Sequence, residues 1–233
     1  MGRFLLVDDN RAFAENLAEI LEDEGHSATV VDGGEAALQA AREVRYDVLI
    51  TDMRMAGMSG AALVHHLRQR DPGLAAIIVT AHPGEAELAR ARAEGVLAVL
   101  PKPVPVPALM KLLTRARRDG LVVLVEDDAH LADNLTEVLR ERGFTAVVAR
   151  SVPDVVGLES VHPFAALVDL RVPGGPDGEA LRRVRERFPG TTPFVVTAYP
   201  EALPADFEGR LVRKPFDTGA LLAALEHVHG ERA

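Results

Sequence analysis

The chain has no cysteine, no tryptophan, and only two tyrosines and eight phenylalanines among its 233 residues. Without thiols there is neither a disulfide framework nor a thiolate metal site. So few rings leave no stacking platform for a single nucleic-acid strand. The charge balance is acidic, −9 at neutral pH, the wrong sign for a footprint on a phosphate backbone. No apolar run nears the ~20 residues that cross a bilayer. The opening Met1-Gly2-Arg3-Phe4 leads into a short apolar run closed by two acids, with no signal-peptide core and no small-residue cleavage site. A cytoplasmic protein is expected, with neither a membrane nor a nucleic acid as partner. What remains is 48% hydrophobic, enough for packed cores and against disorder.

The chain repeats itself. Phe4-Leu5-Leu6-Val7-Asp8-Asp9 returns as Val122-Val123-Leu124-Val125-Glu126-Asp127, 118 positions on. Phe13, Leu17, Ile20 and Leu21 return as Leu131, Leu135, Val138 and Leu139, the spacing of one apolar helix face. Asp52 answers to Asp169 and Thr80-Ala81 to Thr197-Ala198, both 117 positions apart. Lys102-Pro103 answers to Lys214-Pro215 at 112. Four anchors in one order imply two domains of a common size, 1–118 and 119–233. Only Asp119-Gly120 lies between the last helix of the first copy, expected to reach Arg117-Arg118, and the next strand. Such a short join is not a flexible tether.

In the first copy strands are expected over 3–7, 27–31, 48–51, 76–80 and 97–100. Helices are expected from Asn10 to Gly25, after Gly34, from Gly60 to Arg70 and over 85–94, with a last one led by Pro107. Alternating strands and helices make an α/β fold with a parallel sheet covered on both faces. The second copy has five fewer residues between its threonine and lysine, and Pro200 and Pro204 fall in the gap. Its fourth helix is expected to be shortened or missing.

Each copy then carries the same chemistry. The first strand ends in an acidic pair, the third in one aspartate, the fourth in a threonine, and a lysine follows the fifth. Ligands of such sheets bind at the carboxyl ends of the strands. Three carboxylates converging there cannot all stay ionised unaided. An oxygen-only set favours Mg²⁺ as the counter-charge. The strand-end aspartate, Asp52 or Asp169, can then attack a phosphoryl group. Lysine and metal balance charge on the phosphoryl oxygens, and the threonine hydroxyl donates to the phosphate once attached.

These residues together resemble the receiver domain of two-component response regulators, of the chemotaxis-regulator type, twice over. The carriers are Asp8-Asp9, Asp52, Thr80-Ala81 and Lys102-Pro103, then Glu126-Asp127, Asp169, Thr197-Ala198 and Lys214-Pro215. The loop Asp52-Met53-Arg54-Met55-Ala56-Gly57-Met58-Ser59-Gly60 is similar to the family's, with Ala56 where proline is usual. The resemblance implies flavodoxin-like sheets of order 2-1-3-4-5, with Asp52 and Asp169 as phosphoacceptors. It implies Mg²⁺ on Asp9, Asp52 and the carbonyl of Arg54, with Asp8 acting through water. In the second copy the ligands would be Asp127, Asp169 and the carbonyl of Arg171, with Glu126 outermost. It further implies cis Lys102–Pro103 and Lys214–Pro215 bonds. The phosphodonor would be a histidine kinase or histidine phosphotransfer protein, and a downstream protein would be the target.

Two departures stand out. Val99 and Leu211 occupy positions where the family often has Tyr or Phe. A missing fourth helix would remove part of the second copy's usual output surface. Arg54 with His82, and Arg171 with Tyr199, add bulk around each aspartate, so slow self-dephosphorylation is expected. The reading is a tandem receiver without an output domain that signals by protein contact or phosphorelay. It is a phosphoacceptor and not a turnover enzyme. The rivals are an aspartate-nucleophile phosphatase of the haloacid-dehalogenase kind, a scaffold with vestigial sites, and a fragment of a hybrid kinase. The phosphatase would need an acid where Arg54 and Arg171 stand. His65-His66, the arginines of 182–187 and the prolines of 103–107 read as solvated or connecting features.

Overall fold

The computed structural model describes residues 2–81, 84–113, 116, 119–158, 161–204 and 207–232. The chain divides into two compact units, Met1–Asp119 and Gly120–Ala233.

The first unit runs β1 (Arg3–Val7), α1 (Arg11–Asp23), β2 (Ser27–Val31), α2 (Gly34–Glu43), β3 (Val48–Asp52), α3 (Gly60–Arg70), β4 (Ala75–Thr80), α4 (Glu85–Ala93), β5 (Ala98–Pro101) and α5 (Val106–Leu113). All pairings are parallel and the order is β2-β1-β3-β4-β5. Strand residues alternate between two buried faces, as the pleat requires. Leu5, Val7, Leu49, Ala76 and Ile78 meet α2, α3 and α4 through Ala37, Leu63, Val64, Leu67 and Ala91. Phe4, Leu6, Ile50, Ile77 and Val79 meet α1 and α5 through Leu17, Leu21, Leu109 and Leu113. Burial on both sides explains why these strands read as unbroken apolar runs. Each fully buried Leu or Ile contributes about 1.5–3 kcal/mol.

Local signals end the elements where expected. The Asn10 side chain accepts from the Phe13 amide at the head of α1. Gly25, at φ +82°, takes the left-handed turn after it. Several bounds moved by a residue: β3 includes Asp52, β4 opens at Ala75, α4 ends at Ala93, β5 runs Ala98–Pro101, and α5 opens at Val106 just ahead of Pro107. The expectation that α5 reaches Arg117-Arg118 lies outside the described residues.

The second unit runs β6 (Leu121–Val125), α6 (Ala129–Glu141), β7 (Thr145–Ala149), α7 (Val152–Gly157), β8 (Ala165–Val168), α8 (Glu179–Arg187), β9 (Thr192–Thr197), β10 (Arg210–Arg213) and α9 (Thr218–Gly230). Its order, β7-β6-β8-β9-β10, repeats the first unit's. Between β9 and β10 the described residues form only a 3₁₀ turn, Pro200–Ala202. Proline lacks the amide hydrogen that a helix interior needs. Ala202, Leu203 and Phe207 instead pack on the cluster of Val168, Val184 and Val195. The missing helix is thus replaced by apolar side chains on a loop.

Candidate phosphoacceptor sites

Parallel pairing carries the ends of β1, β3 and β5 to one edge of the first sheet. Val7 lies beside Thr51, one residue short of Asp8 and Asp52, and Thr80 lies beside Pro101. The Lys102 amide donates to the Thr80 carbonyl at 2.8 Å. Both Lys102–Pro103 and Lys214–Pro215 are cis. The Lys102 ammonium bridges two carboxylates, 2.6 Å from Asp8 Oδ2 and 2.7 Å from Asp52 Oδ1. Burial acts to lower its pKa, but the bonds to Asp52 and Asp8 and their charges outweigh that and raise it. It also stands 4.8 Å from the centre of the Phe13 ring.

Backbone amides complete the setting. Arg54 N donates to Asp52 Oδ2 at 2.9 Å and Asn10 N to Asp8 Oδ1 at 2.9 Å. Gly60 packs so tightly that a Cβ there would stand 2.2 Å from the Asp52 carbonyl oxygen. Only glycine lets the returning loop pass so close to β3. Thr80 is buried at the end of β4. The Arg54 side chain turns away from the aspartate and forms a two-pronged pair with Glu87 of α4, at 2.8 and 2.9 Å.

The second edge repeats the lysine bridge. Lys214 Nζ lies 2.7 Å from Glu126 Oε2 and 2.6 Å from Asp169 Oδ2. Burial pushes the Glu126 carboxyl up, while Lys214 pulls against that. Here the threonine is engaged: Thr197 Oγ1 donates to Asp169 Oδ1 at 3.1 Å and accepts from the Tyr199 amide. Among the described residues Thr80 makes no such bond to Asp52. Arg171 N donates to Asp169 Oδ1 at 3.2 Å, as Arg54 does to Asp52. The Arg171 side chain pairs with Asp177 in its own loop and lies 3.6 Å from the centre of the Tyr199 ring.

Asp8, Asp52 and Lys102 therefore meet, as do Glu126, Asp169 and Lys214. Among the described residues neither Asp9 nor Asp127 pairs with the lysine of its unit. Both are exposed, and among the described residues no three carboxylate or imidazole side chains gather in one cage. Two acids meet each lysine, Asp8 and Asp52 on Lys102 and Glu126 and Asp169 on Lys214. Asp8 and Asp9 are consecutive and leave the strand end in different directions, one buried and one to solvent. The donors present nonetheless suit a hard cation. They are oxygens only, and the pocket's two acids outnumber its one base.

Several residues of these sites escaped sequence reading. Glu87 is 33 positions from Arg54 and carries no local signal. Asp177 is likewise visible only in the fold. Arg68 had a signal, since it shares the helical face of Val64 and Leu67. It is buried and donates to the carbonyls of Leu74, Glu94 and Gly95. Burial pulls its pKa down to about 10, against the pull of Glu94. Val99 and Leu211 face Ile78 and Val195 across their sheets. The expected bulk beside Asp52 at His82 falls outside the described residues. The features read as bland stay so. His65 pairs with Glu94, and Arg182 and Arg183 with Glu179 and Glu186.

Residues 4–114 match the response regulator receiver domain. A response regulator receiver protein of Anaeromyxobacter sp. (strain Fw109-5) is 58% identical over 232 residues, covering 100% of this chain and 97% of that protein. This chain belongs to the response regulator receiver family. The response regulator FleR of Pseudomonas aeruginosa is 32% identical over 147 residues, which are 60% of this chain but 31% of FleR. Among solved structures, the Vibrio cholerae chemotaxis protein CheY4 matches 49% of this chain and 98% of its own, at 27% identity and a TM-score of 0.47. No helix among the described residues is long and apolar enough to cross a membrane.

Proposed function

We propose that this protein takes a phosphoryl group onto Asp52, and onto Asp169, from a histidine kinase or a histidine phosphotransfer protein. It passes the signal on in the cytoplasm by protein contact or phosphorelay. The observation that carries this reading is the Lys102 ammonium, 2.6 and 2.7 Å from Asp8 and Asp52. In the step itself an Asp52 carboxylate oxygen attacks phosphorus. The P–N bond of the phosphohistidine breaks, and the imidazole leaves with the electron pair. Lys102, freed from that oxygen, pairs with a phosphoryl oxygen. The Arg54 amide continues to orient the aspartate, and Thr80 is the hydroxyl that donates to the new phosphate.

Mg²⁺ fits the oxygen-only donors. Asp9, Asp52 and the Arg54 carbonyl would hold it, with Asp8 beyond. In the second unit Asp127, Asp169 and the Arg171 carbonyl would do so, with Glu126 beyond. When bound it supplies positive charge against the phosphoryl oxygens. Phosphatase turnover is the weaker reading. It needs an acid two residues past the nucleophile, where Arg54 is tied to Glu87 and Arg171 to Asp177. The test is to treat the full chain with acetyl phosphate and Mg²⁺ and count phosphates. Wild type should carry two, Asp52→Asn and Asp169→Asn one each, and the double variant none. An unchanged count in Asp52→Asn refutes the reading.

A further inference from the structure

Helix α4 of the first unit has little apolar anchorage, since Ala91 is its one buried residue. Two arginines hold it instead. At its carboxyl end the buried Arg68 donates to the Glu94 and Gly95 carbonyls, meeting the partial negative charge of the helix terminus. At its amino end Glu87 accepts from the Gly84 amide at 3.2 Å and grips Arg54 through two hydrogen bonds. The first grip is walled off from water. The second is in reach of solvent and hangs from the loop that leaves Asp52.

We propose that Arg54 is a phosphoryl-binding residue held in reserve by Glu87, and that its transfer to the phosphate on Asp52 releases the amino end of α4. The inference rests on Asp52 being the phosphoacceptor. A guanidinium near the positive end of a helix dipole is poorly placed except for its carboxylate partner. The bonds and charge of Glu87 raise the Arg54 pKa most, burial opposes them, and the Asp52 charge already adds to them. A phosphoryl group adds about −1.5 to −2 charges and three acceptor oxygens at that aspartate. Guanidinium matches phosphate in the same two-pronged way it matches carboxylate. α4 then swings about the end that Arg68 pins. With Val99 at the usual aromatic position, the coupling does not depend on a ring. Among the described residues the second unit has no such latch. Arg171 is tied to Asp177 within its own loop, and the described residues between β9 and β10 offer it only a 3₁₀ turn.

The experiment is amide hydrogen exchange on the full chain, with phosphate on Asp52 counted in the same samples by mass spectrometry. The readout is Leu88 to Ala91, where intrahelical bonding begins with the Leu88 amide on the Gly84 carbonyl. Phosphorylated wild type should exchange there about three- to ten-fold faster than unphosphorylated, the scale of losing one charged tether. Glu87→Gln should show that faster exchange without phosphate and no further rise with it. Full phosphate on Asp52 with unchanged exchange overturns the latch and leaves the phosphoacceptor reading standing. A Glu87→Gln protein that still responds in full also overturns the latch. Absence of phosphate on Asp52 overturns the reading beneath it, and the latch with it.

Discussion

The two units carry the same lysine bridge at the same sheet edge, and they differ in what stands beside it. In the first, a loop arginine reaches out to a helix, and that helix is pinned at its far end by buried Arg68. In the second, the helix is a 3₁₀ turn, the loop arginine folds back on Asp177 and Tyr199, and the counterpart of Arg68, Arg185, lies exposed. A charged side chain is buried only where partners await it. Two of the three carbonyls that hold Arg68, those of Glu94 and Gly95, are there because α4 ends there. Without that helix the same position has no reason to be inside. One deletion therefore explains the surface position of Arg185 and the turned-in Arg171 together. The acidic partner and the threonine differ too. Glu126 replaces Asp8, and Thr197 bonds to Asp169, so one oxygen of the second aspartate accepts from both the Arg171 amide and Thr197, where each oxygen of Asp52 has a single partner among the described residues.

The difference in the buried arginine is the easiest to break. Arg68→Ala should cost the first unit about 3 kcal/mol, because it strands buried carbonyls. Arg185→Ala should stay within about 0.5 kcal/mol. Chemical denaturation of the full chain, with exchange in β1 and β6 reporting on each unit, checks both. Equal costs would remove the link between helix and arginine.

The loop that stands in for the helix comes next. Leu203→Ala should destabilise the second unit by about 1–2 kcal/mol, less than a fully buried leucine, since the side chain is half-buried. No effect would mean that this loop leaves the core uncovered.

The threonines should separate by less. Thr197→Ala removes a buried hydrogen bond to Asp169 and should cost about 1 kcal/mol. Thr80→Ala, lacking that bond in the resting protein, should cost less. The same denaturation measurement ranks the pair.

Glu126 sharpens the contrast by pH. Its carboxyl is raised in the fold by burial, so its stabilising contribution is full below the unfolded value and fades as pH rises through the folded one. Relative to Glu126→Gln, wild type should therefore fare better at pH 4 than at pH 7. A constant difference between the two proteins across that range would sink the assignment.

Much of this was readable in the residues. Unbroken apolar runs marked the five strands of the first copy, the repeat implied their counterparts in the second, and Asn10 and Gly25 marked where a helix begins and ends. The two prolines and the shortened spacing exposed the missing helix. The lysine and the strand-end acids could be paired because a parallel sheet must bring strand ends to one edge. What the residues did not reveal is that Asp9 and Asp127 lie exposed while their neighbours Asp8 and Glu126 are buried. Consecutive residues look alike in a sequence, yet a strand end sends them in different directions.

By itself the sequence determined the repeat, the parallel sheets and which strand ends share one edge, because side-chain period and alternation of strand with helix follow from local rules. Tertiary structure alone decided that Arg54 is held by Glu87, Arg171 by Asp177, and α4 by Arg68. Those contacts join side chains to partners that no periodic pattern marks, a helix carboxylate, a loop acid or buried carbonyls, and the energy that selects them comes from burial and charge in three dimensions.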